Sequence, residues 1–136
     1  MKKIILAASV LALSLSFSSC SKKSSDPAPT LTPLQILQSH PWKLSSTKMM
    51  GVESIEECEK DDVTTFKTDL TYSEDAGSVK CDPSDSQTET GAYALSSDGK
   101  TLTLDGDELT VVTLTDSKLE ISASIGGLTV SAVFVK

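Results

Sequence analysis

The sequence contains no arginine. All 12 of its basic residues are lysine, and they are outnumbered by 19 acidic residues, for a formal net charge of −7. Proteins that bind nucleic acid neutralise phosphates with Lys and Arg and use Arg as the commonest reader of base edges. This composition therefore argues against a nucleic-acid partner. A chain of 136 residues is also no longer than one ordinary domain.

Residues suited to catalysis or metal binding are scarce as well. The single histidine, His40, lies between Ser39 and Pro41, where it is better placed to cap the end of a helix than to bind haem or a metal. The acidic runs at residues 59–62 and 105–108 lack the spaced oxygen ligands of a calcium loop, and there is no G-x-S-x-G motif. We therefore expect no enzyme, no metal site and no cofactor, although two acidic residues that meet in the fold would still allow glycosidase chemistry.

The first twenty residues have the three parts of a secretion signal. Two lysines precede an apolar run over residues 4–17, and two serines then lead into Cys20. The apolar run is shorter than the ~20 residues that a transmembrane helix needs. Small residues before a cysteine at this place resemble a bacterial lipobox, so we predict a signal peptide over residues 1–19 and a lipid on Cys20. Ordinary secretion, with a free Cys20 thiol, is the alternative.

A tether and a short helix are predicted to follow. Residues 20–30 are polar, contain proline and lack apolar anchors, which indicates a disordered tether ahead of a folded domain over residues 31–136. Thr32-Pro33-Leu34-Gln35 combines an N-cap hydroxyl, a proline at the first helical position and a capping-box glutamine. Because Pro41 disfavours helical geometry in the residue before it, the helix should end near Ser39. A helix this short can serve only as a plug or lid.

Beyond the helix, apolar residues recur with a period of two. One strand is predicted to begin at Trp42. Seven more are predicted at residues 63–67, 71–74, 88–95, 101–104, 108–114, 118–125 and 128–135. Short links with turn chemistry make neighbouring strands antiparallel. Because closure removes both exposed sheet edges, we predict an all-β fold, a small eight-stranded antiparallel up-and-down barrel with a short N-terminal helix.

One face of each strand supplies the expected interior. Over residues 118–125, for example, Leu, Ile and Ala alternate with charged and polar residues. The residues expected to line the interior, and to contact any ligand held there, are Trp42, Leu44, Phe66, Tyr72, Tyr93, Leu95, Leu102, Leu104, Leu119, Ile121, Leu128, Val130 and Phe134. An eight-stranded barrel is just wide enough to be filled by its own side chains or to hold one small ligand, and the sequence leaves both open.

Two cysteines remain after Cys20. In an oxidising compartment, a disulfide between Cys58 and Cys81 is the default expectation. Their midpoint falls between Asp69 and Leu70, at the tip of a predicted hairpin, so the two cysteines would face each other across its base. Two reduced thiols, or a metal site that would need further ligands, are the alternatives.

Several short motifs follow one another in a characteristic order. They are Pro41-Trp42-Lys43-Leu44, Cys58-Glu59-Lys60-Asp61-Asp62, Thr65-Phe66, Thr68-Asp69-Leu70-Thr71-Tyr72, Gly77, Cys81, Gly91-Ala92-Tyr93, Gly99-Lys100-Thr101-Leu102 and Lys118-Leu119. Together they resemble the lipocalin-like domain of Bacteroidota lipoproteins over nearly all of residues 31–136. The chain differs from that pattern at Leu70, where the family has Gly, and at Tyr93, where it usually has Trp.

The resemblance implies a small β-barrel of lipocalin type on a lipid anchor, in the cell envelope of a Gram-negative bacterium. Family members sent to the cell exterior tend to carry an acidic tract after the lipidated cysteine. Residues 22–23 of this chain are lysines instead. This difference favours an outer-membrane location facing the periplasm.

The anchor, the alternation and the resemblance lead to one functional expectation. We expect a lipid-anchored protein that contacts the membrane through its N-terminal lipid and binds a small apolar or amphipathic ligand. The alternative is a protein-interaction or structural barrel of an envelope complex with no ligand inside. An exposed apolar patch near Val133 and Val135 would favour that alternative. The sequence names neither the ligand nor a protein partner.

The lipid anchor can be tested by one substitution. Cys20→Ala removes the thiol that would carry the lipid, so the protein should move from the membrane fraction to the soluble fraction of lysed cells. Immunoblotting of the two fractions, with the unaltered protein as the control, measures this change. A Cys20→Ala protein that stays in the membrane fraction would contradict the lipoprotein prediction.

Overall fold

The structure, a computed structural model, describes residues 30–136. The predicted signal peptide, Cys20 and all but the last residue of the predicted tether lie outside the described residues. The described part contains one α-helix, α1 (Pro33–Leu37), a short 3-10 turn at Glu57–Glu59 and nine strands. These are β1 (Trp42–Met49), β2 (Val52–Glu53), β3 (Val63–Phe66), β4 (Thr71–Asp75), β5 (Thr88–Leu95), β6 (Thr101–Leu104), β7 (Asp107–Leu114), β8 (Lys118–Ile125) and β9 (Leu128–Val135). Within residues 30–136, no helix has the length and hydrophobicity needed to cross a bilayer.

The strands form a closed barrel. They pair antiparallel in the order β2-β1-β3-β4-β5-β6-β7-β8-β9, and β1 also pairs with β9. Eight strands therefore form a ring, and β2 is an extra strand on the edge of β1. The prediction of an eight-stranded antiparallel up-and-down barrel is confirmed. The sequence did not predict β2, because two residues are too few to show an alternating pattern.

Helix α1 closes one end of this barrel. Its N-terminus has the predicted capping box: Gln35 N donates to Thr32 Oγ1 (3.2 Å), and Thr32 N donates to Gln35 Oε1 (2.9 Å). The helix ends at Leu37, two residues before the predicted end at Ser39. Leu37 is fully buried and joins the core beside Trp42. The helix is thus the predicted plug.

His40 does not cap the helix, contrary to the sequence-based expectation. Its ring nitrogens lie 2.8 Å from the Pro41 carbonyl oxygen and 2.9 Å from the Asp116 carbonyl oxygen. The indole Nε1 of Trp42 instead donates to the Leu37 carbonyl oxygen at 2.8 Å. Because the chain turns after the helix, the first residue of β1 points back at the helix end while His40 reaches the turn between β7 and β8.

The hairpin between β3 and β4 has a three-residue loop rather than a two-residue turn. Phe66 pairs with Tyr72, and the backbone N–H of Lys67 donates to the Thr71 carbonyl oxygen at 2.8 Å. Leu70 occupies the left-handed region, with φ of 64°. A β-carbon makes that conformation unfavourable, which explains why glycine suits this position better.

The disulfide between Cys58 and Cys81 is present, with the two Cα atoms 5.1 Å apart. It lies beyond the last pair of the β3–β4 ladder, which joins Val63 to Asp75. The bridge therefore connects two loops rather than the bases of two paired strands: the 3-10 turn at Glu57–Glu59 and the loop after β4. The alternatives of free thiols or thiolate metal ligands do not apply to this structure.

Leu70→Gly should stabilise the domain. Glycine removes the steric cost of the left-handed conformation, roughly 1–2 kcal/mol, but increases the entropy of the unfolded chain. We expect a net gain of about 0.5–1 kcal/mol in the free energy of unfolding, measured by urea denaturation.

The neighbouring substitution Thr68→Gly provides the control for this prediction. Thr68 has no positive φ, so glycine there brings only the entropic cost and should destabilise the domain. A loss of stability for Leu70→Gly of the same size as for Thr68→Gly would show that the left-handed conformation carries no cost.

Candidate functional site

The barrel interior is packed at the end that α1 closes. Seven of the predicted interior residues are buried in the domain, namely Trp42, Leu44, Phe66, Tyr93, Leu102, Leu119 and Ile121. Gln38 Nε2 donates to the Tyr93 hydroxyl at 2.6 Å, and that hydroxyl donates to the Lys67 carbonyl oxygen at 2.8 Å. These bonds fasten the helix to the strands, and the filled core leaves no room for a ligand at this end.

The other predicted interior residues lie further out. Five are partly buried: Tyr72, Leu95, Leu104, Val130 and Phe134. Leu128 is 44% exposed, but it pairs with Ile125 and lies two residues before Val130, so it keeps the face that points to the interior. It is the first residue after the Gly126-Gly127 turn between β8 and β9, and the turn carries it to the rim of the barrel.

The opposite end of the barrel is open, and one of its walls is apolar. Ala123 pairs with Val130, and Ile121 pairs with Ala132, so these four side chains share the interior face. With Leu109 and Ile125 they line a cavity of about 180 Å³. An adjoining cavity of about 340 Å³ shares Leu109 and is bounded by Asp107 and Glu108. Small side chains on β8 and β9 therefore leave space where the other end is filled.

The wall opposite the apolar wall of β8 and β9 is acidic. Thr64 pairs with Glu74, and Glu74 pairs with Glu89, so both glutamates share the interior face of β3–β5. With Asp62 and Asp85 they line a pocket of about 180 Å³. Because three strands separate β4 from β8 in either direction around the ring, this acidic wall faces the apolar one.

Four carboxylates lie together on this wall. Partial burial, and then the charges of Asp62 and Glu89, raise the pKa of Glu74 above its ordinary value, although part of its side chain still contacts solvent. Burial also raises the pKa of Asp62. The two ion pairs found within residues 30–136, Lys60 with Glu57 and Lys118 with Glu120, involve neither of these carboxylates.

A hydrogen-bonded contact between β4 and the exposed turn after β6 fixes the wall between these two regions. The Tyr72 hydroxyl donates to Asp105 Oδ2 at 2.7 Å, and the Ala92 N–H donates to Asp105 Oδ1 at 2.8 Å. The carboxylate, with a smaller effect of burial, raises the pKa of Tyr72 to about 12, while the hydroxyl lowers the pKa of Asp105. A Cβ on Gly91 would collide with the Asp105 carboxylate and the Tyr72 ring. Only glycine therefore leaves room for this pair.

Sequence reasoning missed the acidic wall. Asp62 lies two residues before Thr64, and Glu74 lies two residues after Tyr72, so alternation alone would have placed both on the interior face. Charged residues are ordinarily expected on the outside of a barrel, because burying an unpaired charge is unfavourable. Near the open end that cost is small, because solvent still reaches the side chains.

A further groove lies on the outside of the barrel. It has a volume of about 370 Å³ and runs between α1, the turn before β6 and strand β7, where Leu31, Ile36, Val112 and Leu114 contribute apolar surface. None of the residues predicted from the sequence as ligand contacts lines this groove.

The fold and the site define a class of protein: a closed antiparallel β-barrel that is plugged at one end and hollow at the other, with an apolar wall inside. The model of the lipocalin-like domain family matches residues 40–121, more than half of the chain. The protein therefore belongs to the lipocalin-like domain family, typically a non-enzymatic binding fold. No curated protein matches this chain.

Gly91→Ala should destabilise the domain through its contact with Asp105 and Tyr72. The added methyl group overpacks this wall, at an expected cost of about 1–3 kcal/mol in the free energy of unfolding. Chemical denaturation measures the effect. In an Asp105→Ala background the carboxylate is absent and the Tyr72 ring can move, so Gly91→Ala should cost clearly less. Equal costs in the two backgrounds would contradict this steric explanation.

Proposed function

We propose that this protein binds a small apolar or amphipathic molecule in the open end of its barrel. The observation that carries the proposal is the asymmetry of the interior. Large side chains fill the end beside α1, whereas Ala123, Ala132 and Val130 leave an apolar cavity at the other end. Eight-stranded barrels of this width have room for one small ligand when side chains do not fill them.

The apolar surface continues from the cavity to the rim. Ile125 is 65% exposed, and Met49 and Leu128 are also exposed. The pairing of Met49 with Val130, and of Ile125 with Leu128, brings these side chains together at one edge of the opening. Exposed apolar surface next to a cavity favours a ligand that is only partly enclosed, with part of its length lying along the rim.

We also propose that a lipid on Cys20 anchors the protein in the envelope of a Gram-negative bacterium. The predicted tether joins the barrel at Leu31, beside α1 and the plugged end. The open end is the other end of the barrel. An anchored protein of this shape would present its opening away from the point of attachment.

The alternative is a structural or protein-interaction barrel, which an exposed apolar patch near Val133 and Val135 would favour. The surface there gives no support for it. Val133 and Val135 are partly buried, between β1 on one side and β8 on the other. They do not form the exposed apolar patch that would have favoured a partner protein on this wall.

Binding can be measured with N-phenyl-1-naphthylamine, an uncharged probe that fluoresces in apolar surroundings. An added probe suits this protein, because Trp42 is fully buried at the plugged end and does not report on the opening. We expect saturable binding by the unaltered protein. Ala123→Trp places a large ring in the cavity and should raise the dissociation constant about tenfold or more, a loss of roughly 1.4 kcal/mol of binding free energy per tenfold.

Thr129→Trp provides the matched control. Thr129 lies on β9 opposite Ser124 and one residue before Val130, so its side chain is on the outer face. This variant should bind the probe as the unaltered protein does. Absence of saturable binding by the unaltered protein, or equal binding by the two tryptophan variants, would rule out a site in the open end.

A further inference from the structure

The loop between β4 and β5, residues 76–87, covers the acidic wall of the opening. Ala76, Asp85 and Ser86 from this loop line the acidic pocket together with the strand residues. Most of the loop is exposed, and no regular secondary structure forms within it. The loop is therefore a wall of the pocket that packing against the core does not hold in place.

Few links hold this loop to the rest of the described domain. Apart from its junctions with the strands, it is attached by the Cys58–Cys81 disulfide and by Ser78, whose N–H and hydroxyl each donate to Asp61 Oδ2 at 2.7 Å. Its other bonds are internal, join its two ends, or link those ends to Asp75, the last residue of β4. Lys80 Nζ, for example, donates to the Asp85 carbonyl oxygen at 2.8 Å. Both attachments lead to one segment, residues 56–62.

The disulfide joins two segments of like charge. Residues 56–62 contain five carboxylates and one lysine, and the loop contains two carboxylates and one lysine. In the pocket, Asp85 of the loop meets Asp62, Glu74 and Glu89. Asp62 Oδ1 is buried and has no hydrogen-bond partner among residues 30–136. Asp85 is the one carboxylate that the loop brings to this pocket, and the like charges facing it disfavour its position in the closed loop. The disulfide ties the loop to that position.

We propose that the loop at residues 76–87 is a movable cover over the acidic pocket at the open end of the barrel and that the Cys58–Cys81 disulfide is the latch that holds it closed. A dithiol reductant opens the latch by thiol–disulfide exchange: the Cys58–Cys81 bond accepts two electrons and two protons to give two thiols, and the dithiol becomes a disulfide. Cys81 is exposed, so a reductant can reach the bond. Once the bond is broken, the Asp61–Ser78 contact still links the loop to residues 56–62, and Gly77 and Gln87 still hold the ends of the loop to Asp75 of β4.

Hydrogen–deuterium exchange of the mature chain tests the latch, with the oxidised protein compared with protein treated with dithiothreitol. The N–H groups of Ser78 and Asp85 are hydrogen-bonded in the closed loop. We expect their peptide to exchange about tenfold faster or more after reduction, while peptides from β7, β8 and β9 are unchanged. High salt should slow the exchange of the reduced loop, because it screens the repulsion between carboxylates.

Charge variants separate a latch from an ordinary stabilising bridge. In the reduced protein, Glu74→Gln/Asp85→Asn should keep the loop closed, because it removes two of the facing charges. The matched control, Asp116→Asn/Glu120→Gln, removes two charges from a turn and an outward-facing position on β8 and should leave the reduced loop open. A Cys58→Ser/Cys81→Ser protein should behave as the reduced protein does.

Three results would overturn the proposal. The first is unchanged exchange of the loop after reduction. The second is faster exchange throughout the barrel, which would make the disulfide a support of the whole fold. The third is an open loop that responds neither to salt nor to Glu74→Gln/Asp85→Asn, which would remove repulsion as the cause of opening.

Discussion

The pairing of β1 with β9 is the interaction on which the rest of the structure depends. It joins the first and last long strands, from Lys43 opposite Val135 to Met49 opposite Val130, and converts an open sheet into a ring. A register shift between Leu44 and Ser46 lets β1 bend while it bonds to β9 on one side and to β3 on the other. Without this closure there would be two free edges and no enclosed interior.

Closure creates an interior, but side-chain size decides what the interior can do. Trp42, Phe66, Tyr93 and Leu102 meet Leu37 of the helix at one end and pack it completely. At the other end, Ala123 and Ala132 on β8 and β9 are too small to reach across the barrel. The five-residue helix thus has a role beyond its size: by filling one end, it leaves a single opening through which a ligand could enter.

Some of the excess acidic residues lie at a defined place in the folded domain. Part of it lies on the interior wall of the opening, where Glu74 and Glu89 share the face that carries Tyr72 and Tyr93 deeper in the barrel. The opening therefore has an apolar wall and an acidic wall, and the loop that borders the acidic wall is attached through a disulfide. The acidic composition argued against a nucleic-acid partner. In the folded domain, part of that negative charge lies at the opening of the barrel.

The sequence by itself determined the elements of this protein and their faces. Alternation located eight strands, and Thr32 and Gln35 marked the helix start, because each of these patterns is local in the chain. The two cysteines left after Cys20 indicated a bridge, although not which loops it joins. Only the tertiary structure decided that the barrel is filled at one end and hollow at the other, that Leu128 lies on the rim, and that Trp42 rather than His40 caps the helix. These outcomes depend on which residues of distant strands share a level in the closed barrel, and that is set by the register of all eight strands together.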